Sequence, residues 1–200
     1  MTSFANGAAF EDPKSRMRAL GTDLSAARAI VDAQGSVLAY ARTGGMLSPA
    51  RFELSPPSTI YRFGGRGKSP QEVATGVWWI ERREFEQLIN FANTHGIFIG
   101  LAMRLLCLVP PEWSDASVLI RARVVRSLLA WRGYANTVVT PMRTGSGVVR
   151  MPHQNEISAR RVHQLFIPGL DGLKSIEPAI SVEQDFHLDP GESVRGFLYL

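Results

Sequence analysis

Three consecutive residues, Tyr61-Arg62-Phe63, set a guanidinium inside a β-forming stretch directly before Gly64-Gly65-Arg66-Gly67-Lys68-Ser69-Pro70. Glycines let a backbone come close to a ligand, and Arg66 and Lys68 add positive charge, so an anion site is the expected chemistry. Gly67-Lys68-Ser69 echoes the end of a phosphate-binding loop, but the first glycine of that spacing is missing and no apolar helical stripe follows the serine. Trp78 and Trp79 are neighbours on a predicted strand, so they point to opposite faces, and one of them is expected to cover a cleft or a partner surface. An arginine facing solvent and two tryptophans packed as core are the plain alternatives.

Other chemistries find little support. His95, His153, His163 and His187 offer no pair four residues apart, and no carboxylate stands at ligand spacing, so no metal site is expected. Thr144-Gly145-Ser146-Gly147 lacks the spacing of a nucleophile elbow. The single cysteine, Cys107, lies in the apolar run Leu105-Leu106-Cys107-Leu108-Val109, which excludes an intramolecular disulfide and predicts a buried, inert thiol. The acidic pairs Glu84/Glu86 and Asp185/Asp189 read as solvated surface.

The elements that must position these groups follow from periodicity. A short helix is expected from Asp23 to Ala33 and a strand over Ser36–Ala41, then a break at Gly44-Gly45. Ser55-Pro56-Pro57-Ser58 reads as a linker, which places the main boundary there: residues 1–57 form a partly helical cap or docking region and 58–200 an α+β domain. Thr59–Phe63 alternates as a strand and Val77–Ile80 as another. Glu81–His95 carries Phe85, Leu88, Ile89 and Ala92 at helical spacing with Gly96 as its stop. A second helix begins near Phe98 and ends before Pro110-Pro111. Leu119–Leu129 alternates as a strand although its local propensity also allows a helix, Thr140–Met151 reads as a loop, Val162–Ile167 as a strand closed by Pro168-Gly169, and Val194–Leu200 as a terminal strand.

Composition fits a globular chain of 200 residues with net charge +4 and 45% hydrophobic residues. Of its 22 cationic residues only Lys14, Lys68 and Lys174 are lysine. Arginine suits phosphate and carboxylate, although a GC-rich genome produces the same bias. Charge is spread without long runs, which lends nucleic-acid binding through Arg121, Arg123, Arg126 and Arg132 only weak support. No apolar run is long enough to span a bilayer. The first residues show no basic segment followed by an apolar stretch, so cytoplasmic synthesis without a classical signal peptide is expected.

The order of these features resembles the mono-ADP-ribosyltransferase toxins and effectors over residues 58–170. The matching pieces are the strand with Tyr61-Arg62, the segment Gly76-Val77-Trp78-Trp79-Ile80 before a helix, Ala130-Trp131-Arg132-Gly133, and the strand ending Leu165-Phe166-Ile167-Pro168-Gly169. The resemblance implies a split, mixed or antiparallel sheet with flanking helices, and NAD as the substrate. It implies that Arg62 contacts the NAD phosphate, with Tyr61, Phe63 and Gly64 beside it, and that Trp78 and Trp79 support the nicotinamide pocket. It also implies a glutamate near the last strand that polarises the nicotinamide ribose. Gln154-Asn155-Glu156 has the Gln-x-Glu form of the family motif but precedes the strand. Aligning the strand by its Pro168 turn brings the position to His163 or Gln164 instead, and the family's Ser-Thr-Ser triplet is absent.

Two functions are therefore expected. One is NAD-dependent ADP-ribosyl transfer to a macromolecule, with a protein as the acceptor, or NAD hydrolysis, in a bacterial toxin or effector delivered to another cell. The other is a non-catalytic interaction module, an effector, immunity or phage protein, on a degenerate version of the same fold.

Overall fold

The computed structural model describes residues 4–21, 28–145, 147–152, 162–170 and 178–195. Two short helices, α1 (Gly7–Glu11) and α2 (Pro13–Ala19), precede a small hairpin of β1 (Ala29–Val31) and β2 (Val37–Tyr40). Next come β3 (Arg42–Thr43), β4 (Met46–Leu54), β5 (Thr59–Gly64), α3 (Pro70–Ala74), β6 (Trp78–Glu81), α4 (Arg82–His95) and α5 (Ile99–Cys107). The chain continues as β7 (Val118–Val124), β8 (Leu128–Ala135), β9 (Val138–Pro141), β10 (Val148–Met151), β11 (His163–Phe166) and β12 (Ile180–His187).

Seven strands form one sheet in the order β12-β7-β5-β6-β11-β8-β4, and β10-β9-β3 form a smaller one. Every pairing among the described strands is antiparallel, and with the flanking helices this is an α+β fold. β4 joins the large sheet, so that sheet takes strands from both sides of residue 57.

Alternation explains the central strands. On β7, Ile120, Ala122 and Val124 turn into the core, while Arg121 and Arg123 turn out to Glu183 on β12. They pack with Ile60, Trp79, Leu128, Ala130 and Leu165 in one cluster. Ile80, Phe85, Leu88, Met103, Leu106 and Leu119 make another between the sheet and the helices α4 and α5. Burial of each large side chain contributes roughly 1.5–3 kcal/mol, which outweighs the individual polar terms.

α4 ends at Gly96, whose φ of 60° is the left-handed stop expected of it. Leu119–Leu129 divides into β7 and β8 around a reversal at residues 125–127 rather than continuing as one strand. Where a helix was expected over Asp23–Ala33, residues 22–27 lie outside the described residues and Ala29–Val31 is a strand. The reason is local: the Asp32 carboxylate accepts from the backbone N–H groups of Gln34 and Ser36, and Gly35 takes a φ of 83°. Asp32 and Gly35 thus build a turn that hands β-branched Ile30 and Val31 to β2. Thr140–Met151 is likewise not a loop throughout, because Val138–Thr140 pairs with Val149–Met151 across a turn in which Met142 N–H donates to Gly147 O at 3.0 Å. Val194 and Arg195 close a turn on Gly191 O instead of starting a strand, and residues 196–200 lie outside the described residues.

The N-terminal segment is tied to the sheet by a buried amide and by an aromatic pair. Buried Asn6 donates from Nδ2 to Leu129 O (2.8 Å) and Pro168 O (2.9 Å), and its Oδ1 accepts from Leu129 N–H (2.8 Å). Phe10 stacks on Trp131 at 4.6 Å, and Trp131 Nε1 donates to Ser15 Oγ. Asn6→Ala orphans these backbone groups, so it should destabilise the protein by about 3 kcal/mol. A urea unfolding midpoint that barely moves in the variant would show that Asn6 is not what couples the α1–α2 segment to the sheet.

Candidate functional site

β6 has four residues to satisfy two neighbours. Ile80 and Glu81 pair with Tyr61 and Ile60 of β5, whereas Trp78 and Trp79 pair with Phe166 and Leu165 of β11. Continued pairing would set Arg62 opposite Trp79 and Phe63 opposite Trp78, but the β5 ladder stops at Tyr61. The sheet splits there. Arg62 reaches across the gap and its Nη1 donates to Trp78 O at 2.5 Å, so a side chain serves a carbonyl that β5's backbone leaves.

The guanidinium has a made-to-measure position. A Cβ on Gly76 would lie 2.0 Å from Arg62 Cζ, so only glycine leaves that volume free. Trp79 Nε1 closes the same corner by donating to Gly76 O at 2.7 Å. Burial lowers the Arg62 pKa to about 10, which keeps the charge at neutral pH, and its buried Nε has no hydrogen-bond partner. A desolvated cation with a donor unspent favours an anion at this place.

A cavity of about 250 Å³ opens at the split. Tyr61, Arg62, Phe63, Trp78, Trp79 and Gln164, six of the residues singled out from sequence, all line it. Trp79 is core, while Trp78 is partly buried and meets Phe166 edge-on at 5.1 Å, so the pair does divide between two faces. Gln164 is fixed by donating from Nε2 to Cys107 O at 2.9 Å, and an amide has no proton to exchange near neutral pH. Gly64 does not line the cavity; it gives way to Val73 of α3, whose Cγ2 would lie 2.5 Å from a Cβ there. Gln154 and Glu156 lie outside the described residues. Among the described lining residues there is no Asp, Glu or His.

Sequence reasoning missed Met103, Trp113, Ser114, Asn136 and Val138, which also line the wall. Their only signal was Trp113, a large aromatic just after Pro110-Pro111. Cys107 also lines the cavity, and burial together with the negative charge of Glu84 pushes its thiol up to about 12, which makes it inert as expected.

The glycine loop after β5 differs from the expected anion cradle. Its Arg66 N–H already donates to Asp115 Oδ1 at 2.9 Å, so a carboxylate of the same chain occupies that position. A five-residue helix, α3, does follow Ser69, which caps it through a reciprocal pair with Glu72.

Glu84 corrects another expectation. Instead of lying in solvent it is 2% exposed, and its carboxylate accepts from Arg132 Nη2 (2.9 Å) and from the His163 backbone N–H (3.1 Å), with His163 Nδ1 also at 3.1 Å. Arg132 Nε donates to Glu81 at 2.6 Å, and His163 stacks on Tyr134. Arg121, Arg123 and Arg132 are therefore all paired with carboxylates. Asp185 and Asp189 are exposed. Among the described residues no group of His, Cys, Asp and Glu could hold a metal ion, and no helix is long and apolar enough to cross a membrane.

No family model matches the chain, and no curated protein matches it. Two solved structures are similar to it. One is Rhs1-CT in complex with its cognate immunity protein RhsI1, with a TM-score of 0.40 and 18% identity over 77% of this chain and 89% of that one. The other is Tne2 in complex with Tni2, with a TM-score of 0.37 and 10% identity over 70% of this chain and 92% of that one. Both scores are low, and neither defines a family for this chain.

Asp115 supplies a pH-dependent tie beside the cavity wall. Burial raises its pKa, but hydrogen bonds from Ser117 Oγ, Arg66 N–H and Ser117 N–H, together with the Arg66 charge, outweigh that and hold it below 3.8. A depressed carboxyl contributes stability that is present above 3.8 and lost as pH falls through the folded value. The urea midpoint of the native protein should therefore drop more steeply below that pH than that of Asp115→Asn, and parallel curves would remove Asp115 from the acid response.

Proposed function

We propose that the cleft binds NAD, with the nicotinamide ribonucleoside end in the cavity and the pyrophosphate on Arg62, and that the chain breaks the nicotinamide–ribose bond. The observation that carries this reading is the Arg62 guanidinium: desolvated, short of a partner at Nε, and set in the wall of an aromatic-lined cavity. The flat faces of Tyr61 and Trp78 suit a planar base. The volume lies just below the roughly 300–1,000 Å³ of sites that enclose drug-sized ligands, which matches one end of a dinucleotide.

In this reading nicotinamide leaves with the electron pair of its bond to ribose C1′, and positive charge builds on the ribose. A nucleophile on a macromolecule, or water, then forms the new bond to C1′ and loses its proton. Arg62 holds the pyrophosphate and so fixes the pose. Glu156, through the Gln-x-Glu resemblance, supplies the carboxylate that stabilises the charged ribose. Gln164 lines the site as a neutral positioning group.

A second reading rests on a different observation. The β1–β2 hairpin exposes Val31, Val37, Leu38 and Tyr40, a set of apolar side chains that suits contact with another protein. It describes an effector-type interaction module without turnover.

The test is NAD binding and nicotinamide release by the purified protein. Arg62→Ala should raise the NAD dissociation constant about 10–100-fold, the range of one charged hydrogen bond. Gly76→Ala should have a similar effect with Arg62 intact, because the added methyl displaces the guanidinium. Glu156→Gln should abolish release while binding persists; unchanged turnover in that variant removes Glu156 from the mechanism. A folded protein that neither binds nor cleaves NAD leaves the interaction module as the reading.

A further inference from the structure

We propose that Trp113 is the stacking platform for the second base of the dinucleotide, the adenine-type ring that extends beyond the cavity. This rests on the reading of the cavity as an NAD site. A cavity of about 250 Å³ takes one end of such a ligand, so the far half must run out along its rim. Trp113 lines the cavity and yet is 45% exposed, which places its ring at the mouth.

The backbone that carries the ring is held before any ligand arrives. Arg104 is fully buried and donates from Nη1 to Val109 O (3.3 Å) and from Nη2 to Ser114 O (2.7 Å), so it pins the loop on both sides of Trp113. Within the loop Trp113 N–H donates to Pro110 O at 3.1 Å, and Arg143 Nη2 donates to Glu112 O at 2.8 Å. Two adjacent prolines, Pro110 and Pro111, further restrict the chain. Across the mouth the indole tip faces Gly44, where even a Cβ would be 3.5 Å from Trp113 Cη2.

The loop that bears Trp113 also meets the glycine loop after β5. Ser114 and Asp115 follow Trp113 directly, and Asp115 holds the loop that carries Arg66, whose side chain is largely exposed. A half-open indole on a pinned loop is an arrangement that binds a nucleobase by its face, without hydrogen-bond readout. A tryptophan that merely shaped the cavity would affect every ligand that enters it, whereas a platform at the mouth affects only ligands long enough to reach it.

The experiment measures dissociation constants by calorimetry on the full chain, for an uncleavable carbocyclic NAD and for nicotinamide mononucleotide. Trp113→Ala should weaken the dinucleotide about tenfold, the scale of one lost base stack, and leave the mononucleotide within about twofold. Trp113→Phe should recover most of the loss. Equal weakening of both ligands, or no change in either, would overturn the platform while leaving the NAD reading in place. Failure of the native protein to bind either ligand would overturn both.

Discussion

A strand of four residues has to serve two half-sheets. β6 gives two residues to β5 and two to β11, and no residue pairs on both sides. The edges of β5 and β11 therefore diverge, and the space between them is the cavity. Backbone groups released at such a split must find other partners, because an unpaired buried carbonyl costs as much as a lost hydrogen bond. Arg62 answers that need at Trp78 O, which is why a cation stands in a largely apolar wall. Position and chemistry at this site have one cause.

So short a bridge does not hold the halves together by itself. α4, which continues directly from β6, reaches both. Phe85 stacks on Tyr61 of β5 at 3.9 Å, and the neighbouring Glu84 binds Arg132 of β8 and His163 of β11. Desolvating this network is costly, and replacing it by apolar groups could give equal stability. Its directional bonds instead fix the register of helix against strands, a precision that greasy contacts lack. Arg104 plays the same part for the loop that bears Trp113.

Much of the scaffold was legible from residue patterns. The strands around Tyr61-Arg62-Phe63 and Trp78-Trp79, the helix with its Gly96 stop and the alternation of β7 are set by neighbours in the chain, and periodicity reads such neighbours well. Six expected site residues line one cavity for the same reason, since they sit on these elements. What was illegible depends on distant partners. Nothing near Glu84 announces that Arg132 and His163, 48 and 79 positions away, will bury it. Likewise the glycine loop reads as open until Asp115 arrives from 49 residues downstream. Asp32 and Gly35 carried a turn signal, but the helical spacing of Leu24, Ala27, Ile30 and Val31 masked it.

Cys107 closes the account in a practical way. It is the sole thiol of the chain, it lies at the last turn of α5 against the cavity, and burial holds it protonated. A thiol reagent therefore reaches Cys107 only through the cavity or when α5 lifts from the sheet, and a ligand that fills the cavity closes the first of these routes. The native sequence thus contains a reporter of access to its own cleft, readable without attaching any label elsewhere.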